Sequence, residues 1–437
     1  MHSPIPDYLL EVLDSCSSDL SGHVADFIPQ LATADPDQQA LAIATVDGAD
    51  YSAGEGTHEF TIQSISKPFV YALAVEDIGL EAVLEAVGME PSGEAFNELS
   101  LEGGTGRPLN PMINAGAIAT HQLVSYGDRQ QIDDGAPQHP SRTEQVRART
   151  AHIVAGLSAF AGRDLQVDYD VADSEYSQAY RNMAIAHMLR THDVITSDPS
   201  EAVRGYIDQC AVLVTVADLA MMAATLANNG INPVTGDQVI SPKAARQTLS
   251  VMATCGMYDG SGRWLARIGI PAKSGVSGAI IGVLPGQVGI ASFSPRLDRV
   301  GNSVQGTEMF TRLSVDMGLH LMSNEQPANT AVRGIRTVEG ADGADEQVDG
   351  GGPAPRERLS RVALQGTLRF TGAERAVRTI VEACDADELE EAVELDLTRV
   401  EALSGAGRRM IKEVIRRMRN DGRTVRIEDP EELLRTP

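Results

Sequence analysis

The chain is poor in aromatic residues, poor in cysteine and short of positive charge. Phe, Trp and Tyr make up 4% of its 437 residues, so Ala, Val, Leu and Ile must fill its core. The four cysteines, Cys16, Cys210, Cys255 and Cys384, are scattered and never form C-x-x-C. That spacing argues against a disulfide framework or a zinc site, and for buried thiols in a reducing compartment. No stretch reaches the apolar length that spans a bilayer. The N-terminal "MHSPIPDYLLEVLDSC" has no basic region ahead of a long apolar run, so no export signal is read there. Lys and Arg number 36 against 61 Asp and Glu, a net charge of −25. Such a surface repels nucleic acid and anionic membrane, and neither is expected as a partner. It also suits a protein that must stay dissolved at high salt. The nine histidines show no metal-ligand spacing. His187 and His192 are five apart rather than the four of H-E-x-x-H, and no metal is expected. These absences together describe an acidic cytoplasmic protein without a metal.

What is present is a substantial apolar content of 42% in a chain long enough for two domains. The clearest boundary is "EGADGADEQVDGGGPAPR", residues 339–356, which has almost no large apolar group and reads as flexible linker. The residues before it, from about 324, share its character. The expected division is 1–325, a linker at 326–357, and a small domain at 358–437. In the first domain "DYLLEVLDS" is helix-like. "ALAIATVDGADYSAGE" reads as a hairpin about an Asp47-Gly48 turn. Residues 110–250 are mostly helical, with loops such as "DDGAPQHPS". "IGIPAKSGVSGAIIGVLPGQVGIASFS" then reads as two or three short strands. A hairpin early, helices between and strands late predict an antiparallel sheet closed by both ends of the domain, with helices packed on it.

The stretch "TIQSISKPFV" (61–70) carries the first chemical signal. Pro68 has no N–H and clashes with the carbonyl four residues earlier, so its helix should begin near Ser64. That puts Ser64 at the N–H-rich, positive end of a helix, where a developing anion is stabilised. Lys67 lies one turn on, on the same side. It can take the serine proton if burial and a nearby cation depress its pKa. Lys273, in "PAKSGVSG" (271–278), offers that cation beside the small residues Ser274 and Gly275. An S-x-x-K helix with a later Lys-Ser-Gly strand is the pairing of serine β-lactamases and penicillin-binding proteins. Small residues there let a substrate lie against the strand and receive backbone N–H bonds.

Further segments narrow the reading. In order they are "ADFIPQLA" (25–32), "FTIQSISKPF" (60–69), "GRPLNPMINAGAI" (106–118), "DSEYSQAYRNMAIAHML" (173–189), "GYIDQCAVLVT" (205–215), "MATCGMYDGSGRWLARIGIPAKSGVSG" (252–278) and "GNSVQG" (301–306). With them, residues 1–325 resemble the serine-dependent glutaminases, which share the β-lactamase-like fold. The resemblance implies an α/β (α+β) domain with an antiparallel sheet and a helical part. It implies hydrolysis of L-glutamine to L-glutamate and ammonia through a serine acyl-enzyme, without a cofactor, by a homo-oligomer, dimer or tetramer. It makes Ser64 the nucleophile, Lys67 its base, and Tyr258 the relay of a proton to the leaving ammonia. Gln63 and Asn114 would line the pocket, Glu175 would pair with the substrate α-ammonium, and Asn182 and Tyr206 would contact the α-carboxylate. The N–H groups of Val276 and Ser64 would form the oxyanion hole, with Lys273 and Gly275 in support. A zwitterionic substrate indeed asks for one buried anion and several neutral donors.

Taken singly these residues have plainer readings: Asn114 as a turn or cap residue, Glu175 as a solvated carboxylate, Tyr206 and Tyr258 as core tyrosines with wet hydroxyls. Two departures stand out. Phe27 occupies a position where the family usually has tyrosine, which removes one polar contact to substrate. Tyr180-Arg181-Asn182 reads as Y-x-N, a β-lactamase element. It keeps a β-lactam-hydrolysing enzyme open as an alternative, beside a non-enzymatic regulator.

The last segment alternates strand and helix: "RVALQGTLRF", "AERAVRTIVEACDA", "AVELDLTRV", "GAGRRMIKEVIRRMRND", "RTVRIED", and a final short helix in "PEELLRT". Met410, Ile411, Val414, Ile415 and Met418 form one apolar helical face. This β-α-β-α unit resembles the STAS domain. Regulatory members carry a phosphorylatable serine where this chain has Gly405, so the resemblance implies a docking or packing module with no phosphorylation switch and an unidentified partner.

Overall fold

The computed structural model describes residues 3–26, 28–93, 98–125, 142–322, 331–339 and 358–435. Phe27, the "DDGAPQHPS" loop and residues 340–357 of the expected linker lie outside them. The chain divides into two compact units, Leu9–Arg312, and Leu313–Pro437 together with Met1–Tyr8.

In the first unit the sheet is built from β1 (Ala40–Thr45), β2 (Asp50–Gly54), β5 (Ala272–Ser274), β6 (Ala279–Leu284) and β7 (Val288–Phe293), in the order β2-β1-β7-β6-β5. Every pairing is antiparallel. The early hairpin turns at Gly48, whose φ of 91° suits glycine. It meets the late strands where Ala40 pairs with Phe293 and Thr45 with Val288. This is the closure read from the sequence. β3 (Phe60–Thr61) and β4 (Leu213–Val214) form a separate short pair.

The helices of this unit run α1 (Ile5–Cys16, which begins in the other unit), α2 (Pro29–Ala32), α3 (Ser66–Ile78), α4 (Leu80–Ala86), α5 (Asn114–Leu123), α6 (Arg142–Ala161) and α7 (Tyr169–Ser177). They continue with α8 (Tyr180–Thr191), α9 (Pro199–Cys210), α10 (Val216–Ala227), α11 (Pro242–Cys255), α12 (Ser261–Arg267) and α13 (Val304–Met317, which ends in the other unit). β1, β6 and β7 are buried along their whole length. Their alanines and the Ala- and Met-rich α10 share one core with Phe69, Phe160 and Phe293. Phe60 and Phe293 stack with centroids 4.2 Å apart. The scarce aromatics pair within this core, Phe60 with Phe293 between strands and Phe69 with Phe160 between helices, and alanine permits close packing elsewhere. A second core joins α5, α8 and α9 through Ile118, Ile185, Leu189, Val203 and Ile207.

The second unit holds β8 (Val332–Glu339), β9 (Arg358–Leu368), α14 (Phe370–Asp385), β10 (Ala392–Leu403), α15 (Gly405–Asn420) and β11 (Thr424–Glu428). Its sheet order is β11-β10-β9-β8, with β9, β10 and β11 parallel and β8 antiparallel to β9. Two differences from the sequence reading appear. Residues 332–339, assigned above to linker, form the edge strand β8. Their arginines and glycine carry no strand signal because an edge leaves one side to water. Residues 430–435 are turns rather than a helix. There Asp429 accepts from the backbone N–H groups of Leu433 and Leu434, both at 2.9 Å. The apolar face of α15 is buried as its periodicity requires.

Candidate active site

The strand β3 leads directly into the site. Ile62 N–H donates to Val212 O at 2.8 Å, and the chain then tightens into a 3₁₀ turn, Gln63–Ile65, before α3. The α-helix therefore begins at Ser66, two residues later than Pro68 alone suggests. Pro68 sits in its first turn, where the missing N–H costs nothing. Ser64 remains at the N-terminal end, buried, on the 3₁₀ turn. The turn holds Gln63 at φ 50°, and Tyr258, on a second 3₁₀ turn, has φ 52°. Side chains rarely adopt this region, and such strain gathers at functional sites.

Lys67 is fully buried. Its Nζ donates to Asn114 Oδ1 at 2.8 Å and to Met112 O at 3.3 Å, and lies 5.9 Å from the centre of the Tyr206 ring. Burial pulls its pKa down to about 8, against the opposing pull of Cys210 and Glu175. Asn114 opens α5 but does not cap it; Ile113 is the cap residue. The Asn114 side chain turns inward instead. Its Nδ2 donates to Asn182 Oδ1 at 2.9 Å, and its Oδ1 also accepts from the Tyr206 hydroxyl at 3.4 Å. The cap reading of Asn114 and the wet-hydroxyl reading of Tyr206 both give way to one buried network.

Gln63 donates from Nε2 to Glu175 Oε2 and to Thr61 Oγ1, both at 3.3 Å. Burial pushes the half-buried Glu175 up to about 7, while Gln63 and Lys67 hold it down. Tyr258 lies beside the Ser64 side chain, and its hydroxyl donates to Ser274 O at 3.1 Å. Burial raises its pKa above the ordinary tyrosine value.

Lys273 is wholly buried, donates to Ser274 O at 2.6 Å, and lies 4.3 Å from the Tyr258 ring centre. Burial, with the Lys67 charge beside it, drives the Lys273 pKa well below the ordinary lysine value. Gly275 leans on the Ser64 turn, since a Cβ there would stand 3.1 Å from Ile65 and 3.3 Å from Ile62 O. Val276 follows it, buried between β5 and β6. The end of α11 is tied to β5, with Ser274 N–H on Gly256 O at 3.3 Å. A Cβ on Gly256 would fall 1.8 Å from Ala272 O. That close approach holds Tyr258 beside the Lys273 strand.

All eleven residues expected at the site thus lie within one connected region of the first unit. Sequence reasoning missed three neighbours. Cys210 places a thiol against the Tyr206 and Ser66 side chains, pushed up to about 12 by burial. Ser66 and Gln209 pack behind the Ser64 turn; no spacing rule points to either. Tyr180, by contrast, is 76% exposed, so the Y-x-N pattern is not a constellation. Among the described residues no group of three or more His, Cys, Asp or Glu could hold a metal ion. Nor is any described helix long and apolar enough to cross a membrane.

Comparison with known proteins agrees with this geometry. The glutaminase family model matches residues 22–322. A glutaminase of Corynebacterium efficiens is 49% identical over 431 residues, covering 99% of this chain and 93% of its own. One from Corynebacterium glutamicum is 48% identical, covering 99% and 95%. Among solved structures, Mglu superposes with a TM-score of 0.69 at 44% identity, covering 99% of this chain and all of its own. The probable glutaminase ybaS gives 0.65 at 37% identity, covering 73% of this chain and 99% of its own.

Proposed function

Since the chain belongs to the glutaminase family, we propose that it hydrolyses L-glutamine to L-glutamate and ammonia through an acyl-enzyme on Ser64. The observation that carries this is the chain of contacts from buried Lys67 through Asn114 to half-buried Asn182 and buried Tyr206, with Tyr258 beside Ser64. Neutral Lys67 takes the Ser64 proton as Oγ attacks the side-chain amide carbon. The oxyanion faces the N–H groups of Ser64 and Val276. Collapse breaks the C–N bond, and Tyr258 passes a proton to the departing ammonia. Water then attacks the ester and releases glutamate. Ionised Glu175 receives the α-ammonium, Asn182 and Tyr206 the α-carboxylate, and Gln63 and Asn114 the remaining polar edge. One anion among neutral donors fits a zwitterion rather than a polyanion. Lys273 and Gly275 support the strand side of the pocket.

The reading extends to a cytoplasmic homo-oligomer, dimer or tetramer, on the resemblance alone. The second unit reads, on resemblance, as a STAS-like docking module in which Gly405 replaces the switch serine; Ser404 caps α15 by accepting from Gly407 N–H at 3.1 Å.

Ser64→Ala tests the core of the proposal. Ammonia release from glutamine should fall at least about 10³-fold, as nucleophile removal does elsewhere. Full retention, or turnover of a chromogenic β-lactam without glutamine hydrolysis, would sink it.

A further inference from the structure

A directional relay of buried hydrogen bonds runs into the back of the nucleophile turn. Ser66, Gln209 and His121 are all fully buried. They come from three helices, α3, α9 and α5. Ser66 Oγ donates to Gln63 O at 2.8 Å, Gln209 Nε2 donates to Ser66 Oγ at 3.0 Å, and Gln209 Oε1 lies 2.9 Å from His121 Nδ1. The directions are forced. Ser66 has one hydroxyl proton, and Gln63 O, an acceptor only, takes it. Gln209 must therefore present its NH₂ to Ser66 and its oxygen to His121. His121 must carry its proton on Nδ1.

The bare Nε2 then faces the interior, with no hydrogen-bond partner among the described residues. Gly205 makes room for it, since a Cβ there would lie 2.4 Å from Nε2. Burial lowers the His121 pKa to about 3, so the ring stays a neutral donor. A fold seldom leaves a buried acceptor unpaired without a reason.

The relay ends on the Gln63–Ser64 peptide. Its carbonyl also accepts the Ser66 backbone N–H. A peptide unit is planar, and its C=O and N–H point in opposite directions. Fixing Gln63 O on the helix side aims Ser64 N–H at the opposite side, toward an acyl oxygen bound at Ser64. Successive bonds in such a chain polarise one another, which strengthens the N–H as a donor.

We infer that Ser66, Gln209 and His121 are positioning residues for the oxyanion donor Ser64 N–H. The inference rests on the acyl-enzyme reading above. None of the three need touch substrate.

Steady-state kinetics with glutamine on Ser66→Ala, Gln209→Met and the double variant test it. L-Glutamate affinity and the melting temperature serve as checks on folding. Ser66→Ala should lower kcat by about ten- to hundredfold, less than outright loss of an oxyanion donor. KM and glutamate affinity should stay within about twofold. Ser66→Thr, which keeps the hydroxyl, should restore most of the rate. The double variant should cost little more than Ser66→Ala, because the members act in series. Multiplicative losses, or an unchanged kcat in a folded Ser66→Ala, would overturn the relay. Failure of the glutaminase reading would show separately, as an active Ser64→Ala or a wild type that leaves glutamine intact.

Discussion

At the scale of single residues the site joins two titrations that push activity the same way. Lys67 must be neutral to accept the serine proton, and its pKa is about 8. Glu175 must be ionised to hold an ammonium, and its pKa is about 7. Both conditions are lost as pH falls. kcat/KM should therefore climb through pH 7 to 8, as a pH–rate profile with glutamine would read. Glu175→Gln should raise KM and flatten the lower part of that limb. A profile that falls over this range would refute the assignment. Ser64 and Lys67 were legible because the motif is local, four residues within one turn. Asn114, Glu175 and Tyr206 were legible only through resemblance; singly, each has a commoner role. Gln209 and His121 left no trace in the sequence. Their relay is made by helices that meet only in three dimensions, and a buried glutamine or histidine has no spacing rule.

At the scale of elements, legibility followed the strength of the local signal. The Asp47-Gly48 turn declared the first hairpin, since a glycine at positive φ between alternating apolar runs has few other readings. β8 was missed because an edge strand rich in arginine resembles linker. The start of α3 was off by the two residues of a 3₁₀ turn, which proline chemistry does not distinguish from a first α-turn. The junction of α11 with β5 offers a test. Gly256→Ala inserts a methyl group where Ala272 O already stands, so helix or strand must move. We expect a loss of about 1–3 kcal/mol, as for overpacked cores, seen as a lowered melting temperature. kcat should drop as well, because Tyr258 lies two residues on. A melt and a rate indistinguishable from wild type would show that this approach does not position the tyrosine.

At the scale of the whole molecule the charge of −25 sets the terms. Like charges repel across the folded surface, and that repulsion weakens as the Debye length falls from about 30 Å at 0.01 M salt to about 3 Å at 1 M. The melting temperature should therefore rise between 50 mM and 1 M potassium chloride. A flat or falling melting curve over that range would contradict it. Domain order was legible at this scale because composition changes so sharply near residue 340. The compact units divide the chain differently, with Met1–Tyr8 grouped with Leu313–Pro437. The central sheet has a consequence of another kind. Residue 40 pairs with residue 293, and the serine turn waits for a lysine strand two hundred positions downstream. A chain leaving the ribosome therefore carries Ser64 long before the lysine strand that completes the proposed site. Non-local closure of this sort folds slowly. On the acyl-enzyme reading, chains that end before residue 293 should release no ammonia from glutamine.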